Sequence, residues 1–535
     1  MTIRNFVLVH VALFVAVALF AADPWPFLLL TIAQLVYMPI ALRLIWIKGD
    51  WFAKRYGYFA IPAYVAIAWL QIMQSSKWDM LFVVIYLLFT FVIALYGLSR
   101  FLGRGFTNLE EFSIDIGLIY VALGGGWFFA YVTGIDTGFS PLITWLTAIH
   151  FHYSALLLPI FIGLLGRLYK PASYRVVCVS MIVSPMIVAI GITFSRWIEL
   201  LSVVIYLIGL SGLIFITWKT PFTTALQKWL IRISFSALGV TIIFSLLYAL
   251  GNGFGLTSVN IDFMLRFHGV LNCIVFALFG IVGWALSVPS STFVTPTFPV
   301  STMRGKWRIG ERLLDNRVKD PHAGLVDDMG SYSDMTVAPR IIDFYEQTSD
   351  YRLFATVKWH TWFTPFAFLY RLVSRHTQQI HLPLHNRQVE MTGAVLALRD
   401  GVDGRDQVRA WLRKIGEETA FVALYAQHSH AGRTYMNIAL PLPFATMTGI
   451  LELHAKGDAL QLTSKKLSSP DSDAGIYVSW KANHLFKLPL EEHFIIHEQA
   501  DGTLHARHDM WLCSLPFLTI HYIIAHKERA SSYLL

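Results

Sequence analysis

The chain has 535 residues, 55% of them hydrophobic and only 14% charged, with a mean hydropathy of +0.54. Soluble domains carry nearer a quarter charged residues, so this composition excludes an ordinary soluble globular protein and leaves a membrane protein with room for one soluble domain. A net charge of +8 without a compact Lys/Arg run excludes a nucleic-acid surface, and Cys178, Cys273 and Cys513 lack the spacing of a disulfide framework or a zinc finger.

A membrane span needs roughly 20 mostly apolar residues. Ten runs meet or approach this: 6–22, 27–47, 58–73, 80–98, 113–133, 141–165, 174–194, 197–217, 227–250 and 264–288. The third is short, and only Ser195 and Arg196 separate the seventh from the eighth. The first run reads as an uncleaved helix, because Arg4 is the only early charge and more spans follow at once. Lys48, Lys54, Arg55, Arg100, Arg104, Arg167, Lys170, Arg175, Lys219 and Lys228 fall in connections after even-numbered spans, with Arg4 on the same side; the other side has only Lys77 and Arg196. Cytoplasmic loops hold the excess of Lys and Arg, so both termini are placed in the cytoplasm of a multi-pass inner-membrane protein. Ten spans would also divide into two inverted halves of five, as in many secondary transporters; Gly124-Gly125-Gly126-Trp127 and Gly280-Ile-Val-Gly283-Trp284 are the only similar stretches.

The predicted fold class is therefore an α-helical polytopic membrane bundle of about ten spans over residues 1–288, a Pro/Thr linker over 289–303, and a β-rich α+β cytoplasmic domain over 304–535. Alternating runs Arg387–Leu398, Thr434–Leu440, Thr448–His454, Gly475–Trp480, His493–Glu498 and Leu504–Leu512 read as strands. The aromatic segment Trp359–Ser374 reads as a core helix in preference to an amphipathic element on the bilayer, because its polar residues are too few for a clean wet face. Fifteen of the nineteen histidines lie in this half. His428 and His430 share a strand face, and His493/His497 and His505/His508 also resemble metal pairs, but none has a third ligand at a telling spacing.

The chemistry points to the spans. His150 and His152 occur in Ile-His-Phe-His-Tyr, and His268 in Arg-Phe-His-Gly-Val-Leu-Asn. Ionisable groups in a bilayer are costly and are candidates for function by default. At about 100° per residue, His150 and His152 point some 200° apart, so one faces a site and the other bonds a neighbouring helix. Tyr153 is three residues from His150 and falls on its face; Asn272 is four from His268 and falls on its face. Pro159 frees a carbonyl near Ala155 and can kink the helix. Asp115 reads first as complementing the helix dipole, after Glu110 and Glu111; Glu199 reads as a local partner of Arg196; Arg266 reads as a headgroup contact.

Ile149-His-Phe-His-Tyr-Ser-Ala-Leu-Leu-Leu-Pro159, and Arg266 to Asn272 followed by Phe276, Gly280, Gly283 and Trp284, resemble the two signatures of the bacterial YndJ-like membrane proteins. The resemblance implies a polytopic membrane protein and directs attention to His150, His152, His268 and Asn272; it supplies no reaction. The expected function is transport of a small or lipidic solute, with His150, His152, Tyr153, His268 and Asn272 binding substrate or relaying protons. The alternative is a membrane enzyme acting on a lipid or isoprenoid, with histidines as acid/base groups or ligands of a metal ion or haem. Expected partners are the bilayer and a small-molecule or lipid ligand, with no nucleic acid.

Overall fold

The computed structural model describes residues 3–528 except 48, 74, 256–258, 333–336, 470 and 482–483, with backbone only for Arg196 and residues 252–254. Lys48 and the Arg196 side chain, both used above, lie outside the described residues. The chain divides into two compact units, Met1–Leu102 with Asn108–Phe293, and Gly103–Thr107 with Val294–Leu535.

The first unit is helical: α1 Ile3–Phe20, α2 Trp25–Ile45, α3 Trp51–Ile72, α4 Asp79–Arg104, α5 Leu109–Thr133, α6 Pro141–Leu168, α7 Tyr174–Phe194, α8 Arg196–Lys219, α9 Ala225–Phe254 and α10 Ile261–Leu286. Among the described residues, nine of these are long and apolar enough to cross a membrane. The exception is α3. It has 22 residues, long enough at about 1.5 Å each, but Lys54, Arg55, Pro62 and Gln71 dilute its apolarity. Burial then orders the bundle. In α2 and α6, 83% of the apolar window is buried, against 11% in α1, so α2 and α6 are central.

Two central helices share a device. α2 relaxes into a π-turn at Ala33–Tyr37 just before Met38-Pro39, and α6 does so at Tyr153–Leu157 just before Leu158-Pro159. A proline donates no N–H, so the preceding turn is free to widen. α10 widens twice, at Met264–Gly269 and Asn272–Leu278, with no proline. Neighbouring hydroxyls cap carbonyls there: Tyr37 donates to Cys273 O at 2.9 Å, and Ser234 to Phe276 O at 2.7 Å. In a bilayer such groups must find partners within the protein. Gly280 and Gly283 let α10 approach closely: a Cβ on Gly280 would run into the Phe161 ring, and one on Gly283 would come within 2.6 Å of Ile231.

Buried charges pair with one another. Arg100 donates to Asp115 at 2.7 Å, to Glu111 at 2.9 Å and to the Ile45 carbonyl at 3.2 Å. Arg167 clasps Glu111 with two nitrogens, at 2.7 and 2.9 Å, and Lys170 holds Glu110 at 2.9 Å. Asp115 is thus an ion-pair partner in the second turn of α5, not a cap. Arg266 pairs with Asp262 at 2.9 Å on the exposed end of α10.

The second unit is β-rich. Its strands are β1 Val318–Pro321, β2 Tyr351–Trp359, β3 Val389–Leu398, β4 Arg409–Ile415, β5 Glu418–His430, β6 Arg433–Leu442, β7 Ala445–Lys456, β8 Ala459–Thr463, β9 Gly475–Lys481, β10 His484–Lys487, β11 Leu490–Glu498, β12 Leu504–Leu512 and β13 Leu515–His526. Antiparallel pairing runs β7-β6-β5-β4-β3-β2-β13-β12-β11-β8 and returns to β7, closing a ten-stranded barrel. β7 makes the closure by serving two neighbours: Thr446–Ile450 pairs with β9, and Glu452–Lys456 with β8. Alternation decides sidedness. In β4 and β5, Trp411, Ala423 and Tyr425 join the barrel core, while Ala410, Leu412, Val422 and Leu424 pack on the other face against Ile309, Leu313 and Leu314. The short helix α11 Pro339–Glu346 adds Ile341, Phe344 and Tyr345 to the inner core.

Trp359–Ser374 corrects an expectation. Its helix, α12 Thr364–Thr377, is not in the core; only Ala367, Ser374 and Thr377 are buried. Sequence could show that the segment was apolar, but not which core would receive it.

His428 and His430 grip a carboxylate: both reach Asp473 Oδ2, at 3.2 and 2.8 Å. Burial alone would raise the Asp473 carboxyl, but the hydrogen bonds and charges of these histidines outweigh it and hold the carboxyl below the usual range. A depressed folded value contributes stability above the unfolded value, about 3.9, and that stability is lost as pH falls toward the folded one. Acid titration of wild type below about pH 4 should therefore show a loss that Asp473→Asn lacks; parallel unfolding curves would refute the assignment.

Candidate functional site

α6 separates its two histidines. His152 is fully buried. Its Nδ1–H donates to Ala148 O at 2.8 Å, so Nε2 is the acceptor and takes the Tyr86 hydroxyl at 2.6 Å. Gly124 makes room for the ring: a Cβ there would stand 3.0 Å from it. Every hydrogen-bonding atom of His152 is engaged within the bundle.

His150 faces α10, with its ring centroid 6.4 Å from that of His268. Its Nδ1–H donates to Leu146 O at 2.7 Å, which leaves Nε2 as a lone pair without a partner among the described residues. His150 is exposed on the bundle beside His268.

His268 is locked. Its Nδ1–H donates to Thr241 O at 3.1 Å, Asn272 donates through Nδ2 to its Nε2 at 3.1 Å, and the Thr241 hydroxyl donates to Asn272 Oδ1 at 3.0 Å. The circuit fixes the neutral tautomer, because a proton on Nε2 would displace the Asn272 amide. Ser245 lies 3.5 Å from the same Nδ1.

Tyr153 takes another direction. Its hydroxyl donates to Leu29 O at 2.7 Å, and its ring meets Tyr37 edge-on at 6.0 Å. A π-turn begins at Tyr153 and widens the helix beyond it. Tyr153 belongs to the junction of the widened turns of α2, α6 and α10.

Two polar groups escaped the sequence reading. His10 of α1 is buried and donates from Nδ1 to Leu35 O at 2.7 Å. Gln34, fully buried on the π-turn of α2, has no partner within hydrogen-bond geometry among the described residues. A lone polar residue in an apolar run was the available signal for both. The barrel holds a third group. Arg413, Glu492, His508, Tyr425 and Tyr522 border an internal space of about 80 Å³. There His508 Nε2 and Glu492 are 3.0 Å apart, and Arg413 stacks on Trp411 at 3.7 Å. Among the described residues no group of three or more His, Cys, Asp or Glu side chains could hold a metal ion.

The apolar helical bundle and the ten-stranded barrel define a multi-pass membrane protein with a β-rich domain. The family model for YndJ-like protein matches residues 28–276, from the start of α2 to the second π-turn of α10. A protein of Bacillus subtilis (strain 168) described as "Uncharacterized membrane protein YndJ" is 40% identical over 459 residues, covering 83% of this chain and 84% of that one. The chain belongs to the YndJ-like family. No solved structure matches it.

Unequal engagement of the histidines gives a direct test. Diethylpyrocarbonate attacks an unprotonated imidazole nitrogen, so among the membrane histidines it should modify His150 first, as read by peptide mass spectrometry. Preferential modification of His152 would refute the tautomers assigned above.

Proposed function

We propose that the chain transports a small or lipidic solute along a path lined by His150, His268 and Asn272. The observation that carries this reading is the exposed His150, whose Nε2 has no partner among the described residues, beside the closed Thr241–Asn272–His268 circuit. A histidine changes charge near physiological pH, so an unpartnered imidazole in a bilayer suits a proton or a hydrogen-bonding solute. The circuit then acts as a rigid wall, and the π-turns give α2, α6 and α10 the local slack that a gating motion requires. In this reading α3 is the tenth crossing, both termini are cytoplasmic, and residues 304–535 form a cytoplasmic domain that binds a ligand or regulates access.

The test uses purified protein in vesicles with a trapped pH dye, pulsed with a panel of small organic acids and amines. Wild type should move protons with at least one of them, and His150→Phe should abolish that flux without lowering the melting temperature. His152→Phe should lower the melting temperature instead, because a buried Tyr86 hydroxyl loses its acceptor at a cost of about 1–3 kcal/mol. Undiminished flux in His150→Phe would sink the proposal.

A further inference from the structure

The second unit carries an apolar surface that its own fold does not cover. On α12, Phe366 is 57% exposed, Phe368 54%, Leu369 60%, Leu372 57% and Val373 55%. At about 100° per residue these side chains, with Tyr370, sweep an arc of roughly 200°. The buried strip opposite is narrow, comprising Ala367 and Ser374; in the last turn the arc also takes in exposed His376 and buried Thr377. Arg371 and Arg375 stand between the strip and the arc; Arg371 donates to Leu382 O at 2.9 Å, and Arg375 is exposed. Just before the helix, Trp362 is 42% exposed, and its indole N–H donates to Pro516 O at 2.7 Å, which holds the ring at the end of the arc.

We infer that α12 lies in the interface of an anionic bilayer, with Phe366, Leu369, Leu372 and Val373 among the acyl chains and Arg371 and Arg375 at the headgroups. A wide apolar face with arginine at its margin and tryptophan at its end is the composition of interfacial helices. Soluble monomers rarely leave a contiguous apolar patch of this kind in water. Connectivity makes the bilayer the nearest apolar phase. The last span ends at Leu286 and the second unit begins at Val294, so the unit is tethered within about 3.5 Å per residue of the membrane. The inference rests on the second unit alone and stands whatever the His150–His268 pair does.

The test is made on the full chain in phosphatidylcholine–phosphatidylglycerol vesicles, in a Cys513→Ser background that removes the exposed native thiol. Leu369→Cys, labelled with an environment-sensitive fluorophore, should emit at shorter wavelength. It should be quenched several-fold more by lipids with a nitroxide on the acyl chain than by aqueous iodide. Adding Phe366→Glu and Leu372→Glu should reverse that preference; both positions are exposed, and an unchanged elution profile verifies folding. Iodide quenching of the parent label without lipid quenching overturns the proposal. So does label-to-label energy transfer that grows with the protein-to-lipid ratio, because the face would then be covered by a second copy.

Discussion

Arg100→Met is expected to cost roughly 3–5 kcal/mol, the penalty of leaving buried charges without their partner. Arg100, Glu111 and Asp115 have side chains 4%, 1% and 1% exposed. Removing the guanidinium takes the partner at 2.7 Å from Asp115 and the one at 2.9 Å from Glu111, while Arg167 still holds the far side of Glu111. Five parts of the chain meet there: Ile45 at the end of α2, then α4, α5, the end of α6, and Pro289, whose carbonyl accepts from Arg167 at 3.1 Å. Arg100→Lys should recover little, because an ammonium lacks the planar fork that serves two carboxylates and a carbonyl at once. Thermal unfolding in detergent, followed by size-exclusion fluorescence, measures the effect. A melting temperature within error of wild type would show that the network is not structural.

Gly393→Ala is expected to break the barrel, at a cost of about 4 kcal/mol or more, in the range reserved for uncompensated backbone clashes. Gly393 sits in β3 opposite Arg413 of β4. A Cβ at this position would overlap the Leu412 carbonyl oxygen and come within 3.2 Å of the Arg413 Cα. The obstacle is backbone, so no side-chain rotation relieves it, and a closed ring cannot splay at one seam without disturbing its neighbours. Limited proteolysis should cut the second unit of the variant while the helical unit remains intact. A barrel as resistant as wild type would contradict the register described above.

Periodicity and composition made much of the fold legible. Apolar runs of span length marked the membrane helices because a bilayer demands length and apolarity locally, in the sequence itself. Alternation exposed β3, β6, β7, β9, β11 and β12 for the same reason. It missed β1, β2, β4, β5, β8, β10 and β13. β4 and β5 are apolar on both faces, with Trp411 and Tyr425 on one and Leu412 and Leu424 on the other, because one face meets the barrel interior and the other meets Ile309, Leu313 and Leu314.

At the His150–His268 pair, spacing alone turned His150 and His152 apart, because regular α-helix extends through both. It could not name Leu29 O as the partner of Tyr153, because that carbonyl comes from another helix. Pro159 announced a disturbance without giving its form. The ring-to-ring approach of His150 and His268, the Thr241–Asn272–His268 circuit and the pairing of Asp115 with Arg100 join residues far apart in the chain. So does the closure of β8 on β7 and β11. Local chemistry determined that this is a helical membrane protein with histidines in its spans and a β-rich second half. Only tertiary packing decided which polar atoms are satisfied and which, like His150 Nε2, are left free, because hydrogen-bond satisfaction depends on partners brought from elsewhere in the chain.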